Sequence, residues 1–375
     1  MPDKPARGLA DVVAASTALS DIDGAAGKLC YRGYDIHDLA GRTSFEETAF
    51  LLQRGHLPNR AELAEFSAAL RAGAVVRPTA QAVLPYVVRA GTPMEALRTL
   101  VSALSVDDVD AADSSPLANE RKATRLVAQT PVLVATYHAA RTGAAVPDPV
   151  DDLGVAGNFL LQINGVRPGD RAAQILDECL VLHADHTMNA STFAARVCAA
   201  TLSDMHSAVT AAVGTLRGPL HGGANEAVMR TLESISGGVD GVAGYVRETL
   251  GAGKKIMGFG HRVYKTEDPR ATHLRRLSEE LAELTGNRRL YEMSRRMEQV
   301  VLEEKGLYPN VDFFAASVYH ALGIPTDLFT PVFAVSRMSG WTSHVIEQQL
   351  DNRLIRPDSE YIGERNRTWV PIDER

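Results

Sequence analysis

The sequence predicts an all-α protein, on three observations. Apolar residues recur at three- and four-residue spacing in one segment after another, and residues suited to helix caps bound those segments. Alternating, strand-like runs are scarce. The glycine signatures of nucleotide-binding α/β folds, GxGxxG and GxxxxGK[ST], are absent. With 375 residues, 45% of them hydrophobic and 23% charged, the chain has an ordinary globular composition and room for two or three domains.

Taken in order, residues 16–36 carry the breaks Asp23-Gly24 and Arg32-Gly33 around the short run Leu29-Cys30-Tyr31, which predicts a small β-hairpin. Ser44, with Glu47 three residues on, forms a capping box for a helix whose Phe45, Ala49 and Leu52 share a face. Gly55 and Pro58 end that helix, and Asn59 caps the next, which carries Leu63, Phe66 and Leu70. Pro78, Pro85, Pro93, Pro116 and Pro131 are expected to punctuate further helices of similar length. The acidic stretch 107–116 lacks the central glycine and closing glutamate of a calcium loop and reads as a solvated loop. Residues 191–214 are alanine-rich, which suits a closely packed interior helix or a subunit interface. The glycines of 237–253 suggest a flexible hinge. Leu274, Leu277, Leu281 and Leu284 stripe one amphipathic helix, and Leu290, Met293, Met297 and Val301 the next.

A net charge of −7 gives no general attraction to nucleic acid or an anionic membrane, so an anionic ligand must be held by locally placed arginines. Cys30, Cys179 and Cys198 show no CxxC spacing and read as buried thiols in a reducing compartment. Residues 1–13 contain no apolar run suited to a secretory signal, and no run reaches membrane-spanning length; a soluble, cytoplasmic protein is expected.

Chemistry-bearing residues cluster in a few stretches. His221 lies in Gly-Pro-Leu-His-Gly-Gly-Ala-Asn and His261 in Gly-Phe-Gly-His-Arg-Val-Tyr, where glycines let another molecule approach backbone and imidazole together. Around His261, the side chains of Lys254, Lys255, Arg262 and Lys265 suit a ligand bearing several phosphates. Asp312, before Phe313, is either a helix N-cap, with a lowered pKa, or a base, which gains from a raised one. His183, Asp185 and His186 allow three readings: structural histidines at a helix end, a substrate-binding histidine, or a metal site, which would still want a third ligand in HExxH-like order. Arg337 and Arg356 sit in apolar or turn contexts where a guanidinium calls for an anionic partner.

Together GPLHGGAN, GFGHRVY, YPNVD, SRMSGW and NRLIRP resemble, in order and separation, the citrate synthase family, including its 2-methylcitrate synthase branch. The resemblance implies a two-domain helical homodimer with a minor N-terminal β-hairpin. Residues 1–222 and 323–375 would form the large domain and tail, and 223–322 a small domain that closes over the substrates. It implies condensation of acetyl-CoA with oxaloacetate and water to citrate and CoA, or of propionyl-CoA in the 2-methylcitrate branch. His221 is then the group that stabilises the enol of the thioester, Asp312 the base, and His261 the group that polarises and protonates the ketone. His186, Arg270, Arg337 and Arg356, the last from the neighbouring subunit, form the oxaloacetate cage. Lys255, Ile256, Met257, Gly258, Gly260 and Arg262 form the CoA-binding region. No metal and no cofactor beyond the CoA thioester, itself a substrate, is implied. Two departures stand out: Thr187 occupies the family's usual glutamate position, and Phe313-Phe314-Ala315-Ala316 follows the aspartate where a tyrosine and a glycine are expected. The competing readings from other classes are a metallohydrolase built on His183, Asp185 and His186, and a non-catalytic helical interaction protein.

Overall fold

The computed structural model describes residues 7–9 and 12–375. Its one sheet is an antiparallel meander of β1 (Ser20–Asp23), β2 (Lys28–Tyr31) and β3 (Tyr34–Asp35), with Ser20 opposite Tyr31 and Asp23 opposite Lys28. The expected hairpin is present, extended by a third strand too short to leave a pattern. Asp23 Oδ1 accepts from the Ala25 and Ala26 N–H groups and shapes the first turn, as short polar side chains do.

The remaining regular structure of the described chain is helical, as expected. A short α1 (Ile36–Leu39) leads to α2 (Phe45–Arg54) and α3 (Arg60–Gly73), which begin at Ser44 and Asn59 with both predicted caps in place. α4 (Pro78–Ala90), α5 (Pro93–Ala103) and α6 (Pro116–Thr142) each start with proline in the first turn, where a missing N–H costs nothing. Pro85 and Pro131, expected to end helices, instead lie inside α4 and α6. The burial of α6 against its neighbours overrides the single hydrogen bond lost at Pro131. Nor is 107–116 merely solvated, because Asp108 and Asp110 pair with Arg125, and Asp110 also with Arg121.

α7 (Val155–Asn164) and α8 (Asp170–His183) pack together, and α9 (Ala190–Ala200) lies closely against α10 (Met205–Leu216). Ala195, Ala199, Ala208 and Ala212 are fully buried there, which fits the interior reading of 191–214. α11 (Ala224–Ser234), α12 (Val239–Gly251), α13 (Pro269–Leu284), α14 (Arg289–Lys305) and α15 (Val311–Ala321) form a second group: α11 and α13 pack on α15, and α12 on α14. The supposed glycine hinge of 237–253 is mostly α12, because burying Val242 and Val246 outweighs the entropy of its glycines.

α16 (Phe329–Leu350) runs through the centre, buried over nearly its whole length against α6, α9, α10, α2 and α8. At Gly340 it comes close to the residues that follow α8. A Cβ there would overlap the Ala184 carbonyl oxygen and lie 2.5 Å from Asp185 Oδ1. Beyond α16 the tail, residues 351–375, is extended and exposed.

Gly340→Ala is therefore expected to lower the unfolding free energy by about 1–3 kcal/mol, the usual penalty of overpacking, despite alanine's better helix propensity. Urea unfolding measures it, and an unchanged or raised midpoint would contradict the contact.

Candidate active site

Three features fold His186 into place. α8 ends at His183, so His183 and His186 do not share a helix face. Thr187 adopts a left-handed φ of 44°, costly for a β-branched residue, and its N–H donates to Ser20 Oγ at 3.0 Å. Asn189 then caps α9 through Oδ1 and donates from Nδ2 to the His186 carbonyl at 3.3 Å.

The three side chains of the metal reading diverge. His183 Nδ1 bonds the Cys179 carbonyl at 2.6 Å, and its ring packs on Phe333. Asp185 accepts from Ser20 and, at 3.3 Å, from His344 Nε2. His186 Nε2 meets Tyr264 Oη at 3.3 Å. Burial would raise the Asp185 carboxyl, but His344, Arg337 and Ser20 hold it below the usual carboxylate range. Among the described residues, no group of three or more His, Cys, Asp or Glu is arranged to hold a metal ion.

His221 follows the end of α10 in a tight loop closed by its own N–H to the Gly218 carbonyl at 2.9 Å. Its Nε2 lies 2.8 Å from Ser191 Oγ, which also receives the Trp341 indole N–H at 3.1 Å and lies 2.7 Å from Asn189 Oδ1. The single Ser191 hydroxyl proton goes either to Asn189 Oδ1, which already accepts the Ser191 and Thr192 N–H groups, or to His221 Nε2; in the second arrangement the neutral ring keeps its proton on Nδ1 for a ligand. Neither Ser191 nor Trp341 was singled out from the sequence, although the tryptophan closes the SRMSGW stretch.

His261 has its tautomer fixed by backbone. Nδ1 accepts from the Val263 and Tyr264 N–H groups, at 3.0 and 3.1 Å, so a neutral ring carries its proton on Nε2 as a donor. The glycines before it are needed: Gly258 has φ +84°, and a Cβ would come within 2.7 Å of Val228 and 2.8 Å of Phe313. Burial, with Arg337 beside His221 and Arg270 beside His261, lowers both imidazoles to about 4. Both are thus neutral at physiological pH.

Asp312 is the second residue of α15, and the cap is Asn310, whose Oδ1 accepts the Asp312 N–H at 3.0 Å. The N-cap alternative for Asp312 is thereby corrected. Some of its surface stays accessible, yet dense surroundings push the carboxyl up to about 7; nearby Asp268 adds to the rise, while Arg270 and Arg337 oppose it.

The two arginines differ. Arg270, in the first turn of α13, is fully buried and forked onto Asp268, with Nε to Oδ1 at 2.9 Å and Nη2 to Oδ2 at 2.7 Å. Arg337, on α16, is 1% exposed; its Nε donates to the His183 carbonyl at 2.8 Å, and its plane stacks on Phe333. Among the described residues no carboxylate lies within 4.0 Å of it, and burial lowers it to about 10. Both guanidinium fields reach His186 and Asp312; His221 and His261 in turn act on His186, whose ring centre is 5.3 Å from that of His261. The structure thus gathers His186, His221, His261, Arg270, Asp312 and Arg337 into one electrostatic unit.

The remaining expected residues lie outside it. Lys255 and Arg262 are exposed and Ile256 is buried, while Met257, Gly258 and Gly260 line the loop that enters the site. Arg356 is on the exposed tail, paired with Asp358 at 3.2 Å.

Comparison with known proteins finds a match to the family described as citrate synthase, C-terminal domain, over residues 8–358. The chain is 50% identical to citrate synthase 2 of Bacillus subtilis over 370 residues, covering 98% of this chain and 99% of that protein. It is 41% identical to a 2-methylcitrate synthase of Shewanella oneidensis, covering 98% and 97%. The crystal structure of citrate synthase from Pyrobaculum aerophilum superposes with a TM-score of 0.91 at 38% identity, covering 98% of this chain and 95% of that one.

Asp312 makes a prediction that needs no substrate. Its unfolded carboxyl titrates near 3.9, about three units below the folded one. Between those values the folded chain holds a proton that the unfolded chain has lost, so this group subtracts stability as pH rises from about 4 to about 7. Asp312→Asn should therefore resist urea better than the parent at pH 8 and about equally at pH 4. The same difference at both pH values would contradict the raised pKa.

Proposed function

The chain belongs to the citrate synthase family, and from that premise we propose how its own residues divide the work. The enzyme is an acyltransferase that condenses an acyl-CoA with oxaloacetate and water, releasing citrate and CoA when the acyl group is acetyl. Asp312 takes the methyl proton of the thioester. His221, with Nδ1–H available, donates to the thioester oxygen as the enolate forms, since a weak carbon acid needs that charge stabilised. The enolate carbon bonds to the ketone carbon of oxaloacetate, and the ketone oxygen takes the Nε2 proton of His261. Water then cleaves the citryl thioester. His186, Arg270 and Arg337 hold the oxaloacetate carboxylates, with Arg356 contributed by a second copy of the chain. The chemistry balances with no metal or organic cofactor.

One observation carries this reading: a carboxyl raised to about 7 lies within the same guanidinium fields as imidazoles that stay neutral. A base near neutrality beside neutral donors is the arrangement that proton abstraction next to a carbonyl requires. The helices α11 to α15 are the body that closes on the rest, taking water from the intermediates. The loop from Ile256 to Gly260, with Lys255 and Arg262 at its edges, receives CoA. A homodimer is supported by the tail, whose exposed Tyr361, Ile362 and Trp369 would be covered by a second copy. Three free cysteines support a reducing, cytoplasmic setting.

Acetyl-CoA is the acyl donor we favour. Propionyl-CoA is the second reading, favoured by the likeness to a 2-methylcitrate synthase. One methylene shifts such preferences by only about 1–3 kcal/mol. Thiol release from the two thioesters, assayed side by side, should show the higher kcat/KM with acetyl-CoA; the reverse order would assign the propionyl reaction. Asp312→Asn should lower kcat with oxaloacetate binding retained, and a fully active variant would remove the base. Mixing Arg356→Ala with His221→Ala chains should restore partial activity in mixed dimers. No recovery once mixed dimers are shown to form would contradict a shared site.

A further inference from the structure

Asn310 bonds through all four of its polar groups. Its N–H donates to the Gly258 carbonyl at 2.9 Å, and its own carbonyl accepts from Phe313 at 3.2 Å. Side-chain Oδ1 accepts from the Asp312 N–H at 3.0 Å, and Nδ2 donates to the Gly260 carbonyl at 3.1 Å. That carbonyl belongs to the peptide bond leading into His261, and that N–H to the one leading into Asp312. A single carboxamide thus bridges the peptide groups immediately before two site residues that lie far apart in the sequence.

We propose that Asn310 is a positioning residue that fixes the separation of His261 and Asp312, so that the proton-giving and proton-taking groups travel as one unit. The proposal rests on the roles assigned above. Capping alone does not account for the side chain: a cap needs only an acceptor, and serine or aspartate serves as well as asparagine. The Nδ2 donor is what asparagine adds, and its bond reaches the other segment. The backbone pairing there is one isolated bridge, Phe259 opposite Pro309, flanked by two hydrogen bonds, Gly260 N–H to the Tyr308 carbonyl and Asn310 N–H to the Gly258 carbonyl, each 2.9 Å. So short a pairing fixes the backbone separation without fixing the tilt of the peptide groups that lead into His261 and Asp312. Gly260, at φ +77°, offers no side chain to stiffen it. Misplacing reacting groups by about 1 Å can cost 100-fold in rate, so a loose link here would show in turnover.

Asn310→Ser and Asn310→Asp both keep an acceptor for the Asp312 N–H and remove the donor to Gly260. Both are expected to lower kcat about 10- to 100-fold while the KM for acyl-CoA holds and the thermal midpoint stays within about 3 °C of the parent. Parental turnover in the serine variant would overturn the proposal. So would a loss of turnover in both variants that is matched by a collapse of the midpoint, since Asn310 would then be a structural cap. Asp312→Asn is assayed alongside. If it is inactive while the Asn310 variants turn over normally, the link fails and the catalytic reading stands. If it is fully active, the reading and the link fail together.

Discussion

A guanidinium enclosed by protein, with no carboxylate within 4.0 Å among the described residues and Asp185 acting on it only through space, governs the rest of this site. Arg337 is offered a carbonyl and an aromatic face, and neither cancels its charge. Arg270 is forked onto Asp268, whereas Arg337 feels Asp185 and Asp312 through space without a hydrogen bond to either. An uncompensated buried cation is destabilising unless something anionic arrives. A dicarboxylate supplies that charge in a planar form that guanidinium forks can hold. The guanidinium fields, added to burial, keep His186, His221 and His261 neutral and limit how far Asp312 can rise. Burial together with the two guanidinium fields thus sets the protonation states of the groups around them.

The scaffold maintains that arrangement at its own expense. α16 carries Arg337 past the end of α8 at a point where only glycine fits, and the strained turn at Thr187 directs His186 inward. Asp185, Ser20 and His344 form a fully bonded polar cluster on one side of that turn, apart from Asp185 Oδ1. Strain, a buried cation and a carboxyl held above its ordinary pKa all subtract stability, and all of them converge on the candidate site.

Much of this was legible in the sequence because it is local. Caps at Ser44 and Asn59, the periodic leucines of α13 and the glycines flanking His261 leave direct marks on residue spacing. The residues that the fold brings together around His186 were named by resemblance, since their stretches keep a characteristic order. Less visible was whatever depends on tertiary contact. Pro85 and Pro131 were expected to break helices that packing keeps whole. Ser191 looks like any first-turn serine until His221 and Trp341 reach it from elsewhere. Asp312 could be read as a cap because nothing in its neighbourhood shows that Asn310 already fills that role. The pairing of Arg270 with Asp268 is written two residues apart, but only the fold shows that Arg337 has no carboxylate within 4.0 Å among the described residues.

Calorimetry with oxaloacetate alone, on the parent and on Arg337→Gln, examines the buried guanidinium most directly. Oxaloacetate should bind the parent with no CoA present. The glutamine variant should lose affinity at least about 30-fold, as expected when one partner of a buried charge pair is truncated, with no fall in its urea midpoint. Equal affinity in the two proteins would mean that the buried guanidinium does not hold the substrate, and the account would be wrong at its centre.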